Sequence, residues 1–106
     1  MRPILIRGGR ILDPSRQTDE VADLLIKNPS IKKLRIESHT DNKLDAEKGM
    51  QQTKERASAV SAYLQKRGVD GTRLDAQGLG SSQPLAPNLT AANRAKNRRV
   101  LFKIAD

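Results

Sequence analysis

IKKLRIESHTDNK, residues 31–43, changes character at its midpoint. The first half alternates apolar Leu34 and Ile36 with charged Lys33, Arg35 and Glu37, the period of two expected of a strand with one wet face. The second half brings His39-Thr40-Asp41, with the only histidine of the chain, to the strand end ahead of a helix. Loops in that position commonly carry function on a rigid frame. Three readings of the tripeptide are open: a metal or catalytic fragment, a capped turn, or half of a binding site completed elsewhere. Thr and Asp at such a turn often hydrogen-bond nearby backbone N–H groups, and a lone histidine is more often packed or solvated than catalytic.

Working outward, residues from about 45 to 67 form the longest helix. At about 100° per residue Met50, Thr53, Ala57, Val60, Ser61 and Leu64 share one stripe. Gly68 closes it as a left-handed cap. Arg56 sits about 80° from the stripe centre, so its stem can pack while the guanidinium emerges at the edge. Most such arginines form a solvated rim, and nothing local pairs this one with Asp41.

Upstream, Pro3 to Arg7 reads as a short buried strand closed by a Gly8-Gly9 turn, and Asp13-Pro14-Ser15 as a helix start. From Thr18, the positions Val21, Ala22, Leu24 and Leu25 take helical spacing, with Asp19, Glu20 and Asp23 placed near the positive end of the helix dipole. Asn28-Pro29 ends that helix. Downstream, TRLDAQGLG is a third strand entering a glycine-rich turn, SSQPLAPNLTAAN a long surface loop, and Arg98 to Ile104 the last strand. The resulting fold class is α/β (α+β): a two-layer sandwich with two main helices on one face of a mixed four-stranded sheet. All 106 residues form one domain by the length prior.

Composition narrows the function. Aromatic side chains are limited to Tyr63 and Phe102, too few for a sugar platform or for base stacking. The chain lacks cysteine, so disulfides and thiolate zinc sites are excluded, and one histidine cannot build a His-rich metal site. No metal or other cofactor is expected. The opening MRPILIRGG has an apolar run too short for a signal-peptide core, and no stretch reaches the roughly 20 apolar residues of a membrane span. The chain is therefore either cytosolic or a domain cut from a longer exported protein. Its net charge of +8, from 20 basic and 12 acidic side chains, favours polyanionic partners: nucleic acid, acidic wall peptide, acidic lipid or acidic protein.

Within NRAKNRRV, residues 93–100, four basic residues could contact phosphates; the plainer reading is a positive surface helix leading into an edge strand protected by Arg98 or Arg99. GLGSSQP lacks the Gly-Lys-Ser/Thr ending of a phosphate loop and follows the long helix instead of preceding it. Ser38 and His39 point to opposite faces of a strand, so no nucleophile and base converge and an enzyme is not expected.

Taken together, LRIESHTDN, KERASAVSAYLQKRGVDGTRLDAQGLGSSQPLAPN and NRAKNRRVLFKI resemble the OmpA-like peptidoglycan-binding domain, over residues from about 21 to 104. The order His-Thr-Asp, Arg-Ala-x-x-Val-x-x-Tyr-Leu, Gly, Arg-Leu, Gly-x-Gly, Pro, Asn and Asn-Arg-Arg-Val carries the resemblance. It implies a noncovalent anchor for diaminopimelate-type peptidoglycan in the periplasm or envelope of a Gram-negative bacterium. The parent protein would be larger and membrane-associated, with room for a homodimer and no nucleic acid expected.

By the resemblance, Asp41 and Arg56, fifteen residues apart, hold the diaminopimelate residue, with Thr40 also at the ligand. Asp41 would take the side-chain ammonium, and the planar Arg56 fork the carboxylate on the same carbon. His39, Asn42, Asn97, Arg98 and Arg99 are implied as supporting residues. The chain departs from the family pattern at Lys43-Leu44, where a glycine is usual, at Gly49, Gln52 and Thr53 in place of Asn-x-x-Leu-Ser, and at IRGGR in the first strand. Those departures define an alternative, a degenerate OmpA-like domain serving protein contact or assembly. A third reading, a basic nucleic-acid binder, rests on charge and on Arg94, Lys96, Arg98 and Arg99 alone.

Overall fold

The computed structural model describes Arg2–Pro3 and residues 14–105. Its elements are β1 (Arg2–Pro3), α1 (Pro14–Lys27), β2 (Lys33–His39), α2 (Ala46–Lys66), a 3-10 turn at Gly71–Arg73, β3 (Leu74–Gly80), α3 (Ala91–Asn97) and β4 (Arg99–Ala105). Three helices thus accompany a mixed sheet whose long strands are β4, β2 and β3: β2 runs parallel to β3 and antiparallel to β4. The two residues of β1 pair antiparallel with Ile104 and Lys103. The remainder of the expected first strand and the Gly8-Gly9 turn lie outside the described residues.

The core among the described residues is mainly aliphatic: Val21, Ala22 and Leu25 from α1, Leu34 and Ile36 from β2, Ala57 and Leu64 from α2, then Val69, with the aromatic Phe102 from β4. Burial of these side chains supplies the main drive for folding. Along α2 the buried positions are Gly49, Thr53, Ala57 and Leu64, the centre of the expected stripe plus one glycine. Asp45 caps the start by accepting the Lys48 N–H at 2.8 Å, and Gly68, with φ 104°, takes the expected left-handed conformation at the end.

Three expectations are corrected. The acidic residues of α1 do not stand at its start, because the helix begins at Pro14 with no acid in its first turn. Asp19 and Asp23 instead bind the Arg67 guanidinium, and Asp19 also accepts from the Tyr63 hydroxyl, fastening α1 to the end of α2. Strand β2 has no wet face in its second half: Glu37 and His39 are as buried as Leu34 and Ile36. Finally, β4 is not an edge strand, since it pairs with β2 along its whole length and with β1 on its other side.

The close fit of α2 onto β3 explains the Gly-x-Gly of the third strand. A Cβ at Gly78 would come within 2.2 Å of the Lys54 backbone nitrogen and 2.6 Å of the Thr53 carbonyl carbon. Two residues on, Gly80 has φ 56° and would press a Cβ to 3.3 Å from the Met50 backbone. Its N–H donates to Thr53 Oγ1 at 3.0 Å, while that hydroxyl donates to the Met50 carbonyl at 2.9 Å. The glycines let helix and strand backbones meet, and this seam fixes the helix beside the end of β2.

Candidate functional site

The end of β2 sits between the start of α2 and the junction of α3 with β4. Thr40 is buried, and its N–H donates to the Gly80 carbonyl at 3.0 Å. Asp41 follows, 3% exposed. Its Oδ1 accepts the Lys43 N–H at 3.0 Å, the local cap expected of an Asp at a turn. Its Oδ2 accepts from the Arg98 guanidinium, a contact spanning 57 positions. The Lys43 N–H, opposed by burial and reinforced by Arg98 and Arg94, holds the carboxyl below its ordinary 3.8. Asp41 is therefore an anion at neutral pH that caps the turn and pairs with Arg98 at once.

Arg56 is half-buried on α2. Its guanidinium has no hydrogen-bond or ion-pair partner among the described residues. It lines a groove of about 500 Å³ with Thr18, Val60, Leu85, Val100, Phe102 and Arg98. Asp41 does not line this groove; Arg98, which bonds Asp41, lines it together with Arg56.

The other expected residues divide clearly. Asn97 is fully buried and holds the loop after β3. Its Oδ1 accepts from Leu85 N–H (2.7 Å) and Ala86 N–H (3.0 Å), and its Nδ2 donates to Ala86 O (2.8 Å) and Asn88 Oδ1 (2.7 Å). With every amide position engaged, Asn97 is a structural pin. Arg99 donates to the Gln83 carbonyl at 3.1 Å and ties down the same loop. Asn42 is exposed and faces a second recess beside Lys43.

His39 lies 1% exposed, with Nε2 at 3.2 Å from Glu37 Oε1. Glu37 also meets Lys103 at 3.1 Å and Arg35 at 3.1 Å. Burial raises the Glu37 pKa, but hydrogen bonds from Lys103 and His39 outweigh it and leave the carboxyl below 4.5. Burial lowers the His39 pKa below 6.5, against the hydrogen bond to Glu37. The ring is thus neutral with Nε2–H donating to Glu37, and its buried Nδ1 has no partner among the described residues. The histidine is part of a packed polar cluster that holds the strand end.

Sequence reasoning named Thr53, Arg94 and Lys43 without giving them roles at the site. The signals available were the closeness of Arg94 to Arg98 and of Lys43 to Asp41 in the chain.

Residues 7–98 match the OmpA family, and the chain belongs to that family. It is 40% identical over 70 residues to the outer-membrane lipoprotein YfiB of Pseudomonas aeruginosa, covering 66% of this chain and 42% of the lipoprotein. It is also 40% identical over 82 residues to the peptidoglycan-binding protein ArfA of Mycobacterium tuberculosis, covering 77% of this chain and 25% of ArfA. The chain thus spans less than half the length of these relatives. Among solved structures it resembles the peptidoglycan-associated lipoprotein of Burkholderia pseudomallei, with TM-score 0.78 at 24% identity over 96% of this chain and 86% of the other. That likeness concerns the fold. The cell wall anchor of the T6SS from Pseudomonas aeruginosa gives TM-score 0.73 at 26% identity, covering 96% of this chain and 76% of that one.

Proposed function

We propose that the chain is a noncatalytic wall anchor, one domain of a larger membrane-associated envelope protein, working in the periplasm or envelope of a Gram-negative bacterium. It binds diaminopimelate-type peptidoglycan without covalent chemistry. The observation that carries this reading is the unpartnered Arg56 guanidinium in a groove shared with Arg98, the residue bound to Asp41. Family membership and the peptidoglycan-binding and wall-anchoring relatives support it.

Diaminopimelate carries an ammonium and a carboxylate on one side-chain carbon, a zwitterion suited to one anion, Asp41, and one cation, Arg56. Asp41 receives the ammonium, which shares or displaces Arg98 at Oδ2, because Oδ1 is taken by the Lys43 N–H. Arg56 offers two parallel N–H donors to the carboxylate. A lysine-type peptide supplies the ammonium alone and leaves Arg56 unpaired, so selectivity rests on Arg56.

Co-sedimentation with insoluble diaminopimelate-type and lysine-type sacculi tests the reading. Selective pelleting with the first, abolished by Arg56→Ala in a folded protein, is the expected result; pelleting unaffected by Arg56→Ala would refute the assignment. The assembly reading draws on Leu85 and Leu89, apolar yet 66% and 83% exposed on the loop after β3. A sedimentation mass above one chain that falls to one chain in Leu85→Asp/Leu89→Asp, with no wall binding, would favour it.

A further inference from the structure

A second recess lies beside the Asp41–Arg98 pair. It has a volume of about 440 Å³ and is lined by Asn42 and Lys43 from the β2–α2 loop and by Ala91, Arg94 and Arg98 at the α3 side. Arg94 belongs to α3, and Arg98 is the residue that ends it; both line the recess. The Arg94 guanidinium and the Lys43 ammonium have no hydrogen-bond or ion-pair partner among the described residues. Three cations therefore meet one carboxylate, Asp41, whose oxygens are already engaged by the Lys43 N–H and Arg98. Among the described residues, the cations lining the recess outnumber the carboxylates that pair with them.

We propose that this recess is an anion subsite for a second carboxylate of the bound peptide, the free α-carboxylate of the γ-linked glutamate that precedes diaminopimelate. The inference rests on the wall-anchor reading and deepens it. The glutamate is adjacent to diaminopimelate in the peptide, and it is present whether or not the peptide is crosslinked, whereas a terminal carboxylate is not. Arg98 borders both the recess and the Arg56 groove, so one ligand can reach both. When an ammonium takes Asp41 Oδ2, the guanidinium of Arg98 is released toward Arg94 and Lys43. Binding of the ammonium thereby strengthens the anion subsite, and the two charges of the peptide are read together. Amidation of the glutamate removes the anion and leaves the rest of the ligand intact.

The test is calorimetric titration of the full chain with two soluble alanyl-γ-glutamyl-diaminopimelate tripeptides, one with a free glutamate α-carboxylate and one with that group amidated. Wild type should bind the free acid about tenfold more tightly, as one charge-assisted contact implies. Arg94→Gln and, independently, Lys43→Gln should each reduce that preference, weakening binding of the free acid by clearly more than binding of the amidated peptide. Lys43 is on the exposed loop, so its variant guards against misfolding of α3. Equal affinity of wild type for the two peptides, or equal weakening of both by Arg94→Gln and Lys43→Gln, would overturn the subsite while leaving the wall-anchor reading in place. Failure of wild type to bind either peptide would overturn both.

Discussion

The seam between α2 and β3 and the rim formed by Asp41, Arg56, Arg94 and Arg98 lie on the same helix–strand frame but follow different rules. In the seam, backbones touch at Gly78 and Gly80, and the Thr53 hydroxyl is both donor and acceptor. At the rim, one buried carboxylate is shared by Arg98 and a backbone N–H, while Arg56 and Arg94 lack partners among the described residues. The seam is satisfied internally, and on the proposed reading a ligand completes the rim. Changes in the seam should therefore cost stability, and changes at the rim should cost binding at little expense to the fold.

The sharpest separation comes from Gly78→Ala. The added methyl meets backbone atoms at 2.2 Å, which no rotamer change can relieve. Destabilisation of about 3 kcal/mol or more in urea unfolding is expected. A loss below about 1 kcal/mol would mean the seam yields more easily than close packing implies. Next, Arg56→Ala should weaken binding of a diaminopimelate peptide roughly thirtyfold or more by calorimetry. The same variant should change unfolding stability by less than about 1 kcal/mol. Comparable losses of both would erase the distinction between the regions.

Thr53→Val keeps the shape of the side chain and removes the hydroxyl, leaving the Gly80 N–H without its acceptor. A loss of about 1–2 kcal/mol is expected, with Thr53→Ser retaining most of the stability. Equal losses in the two variants would point to shape instead of the hydrogen bond.

The smallest effect is that of pH. Asp41 and Glu37 have folded pKa values below their ordinary 3.8 and 4.5, so their stabilising contribution is present above the unfolded values and is lost as pH falls through the folded ones. His39, held neutral with a pKa below 6.5, contributes in the same direction: below about 6.5 the unfolded chain takes up the proton first. Urea midpoints should fall on acidification, beginning below pH about 6.5 and steepening below about 4. Asp41→Asn should reduce the lower step and leave the upper one; midpoints level across that range would contradict the proton accounting.

The sequence exposed these regions unequally. The α2 stripe and the Gly68 cap are local patterns, so periodicity and one glycine revealed them. The Gly-x-Gly was visible as a turn, but its reason lay in Lys54 and Thr53, more than twenty positions away. The acids of α1 were misplaced because their partner Arg67 is distant in the chain and the helix starts earlier. Alternation in β2 suggested a wet face, whereas Glu37 and His39 are buried and satisfied mainly by each other and Lys103. At the rim, Asp41 and Arg56 came from the family pattern. The Asp41–Arg98 pair required the fold, which brings the ends of β2 and α3 together.

The central claim, that the unpaired cations around Asp41 are the ligand site, is tested most directly by titrating a diaminopimelate tripeptide into the isotopically labelled chain and mapping amide and guanidinium shifts. The account predicts changes concentrated at Thr40 to Lys43, Arg56 and Arg94 to Arg98, with Gly78 and Leu64 unmoved. Shifts centred on Leu85 and Leu89 with Arg56 silent, or no shifts at saturating peptide, would contradict it.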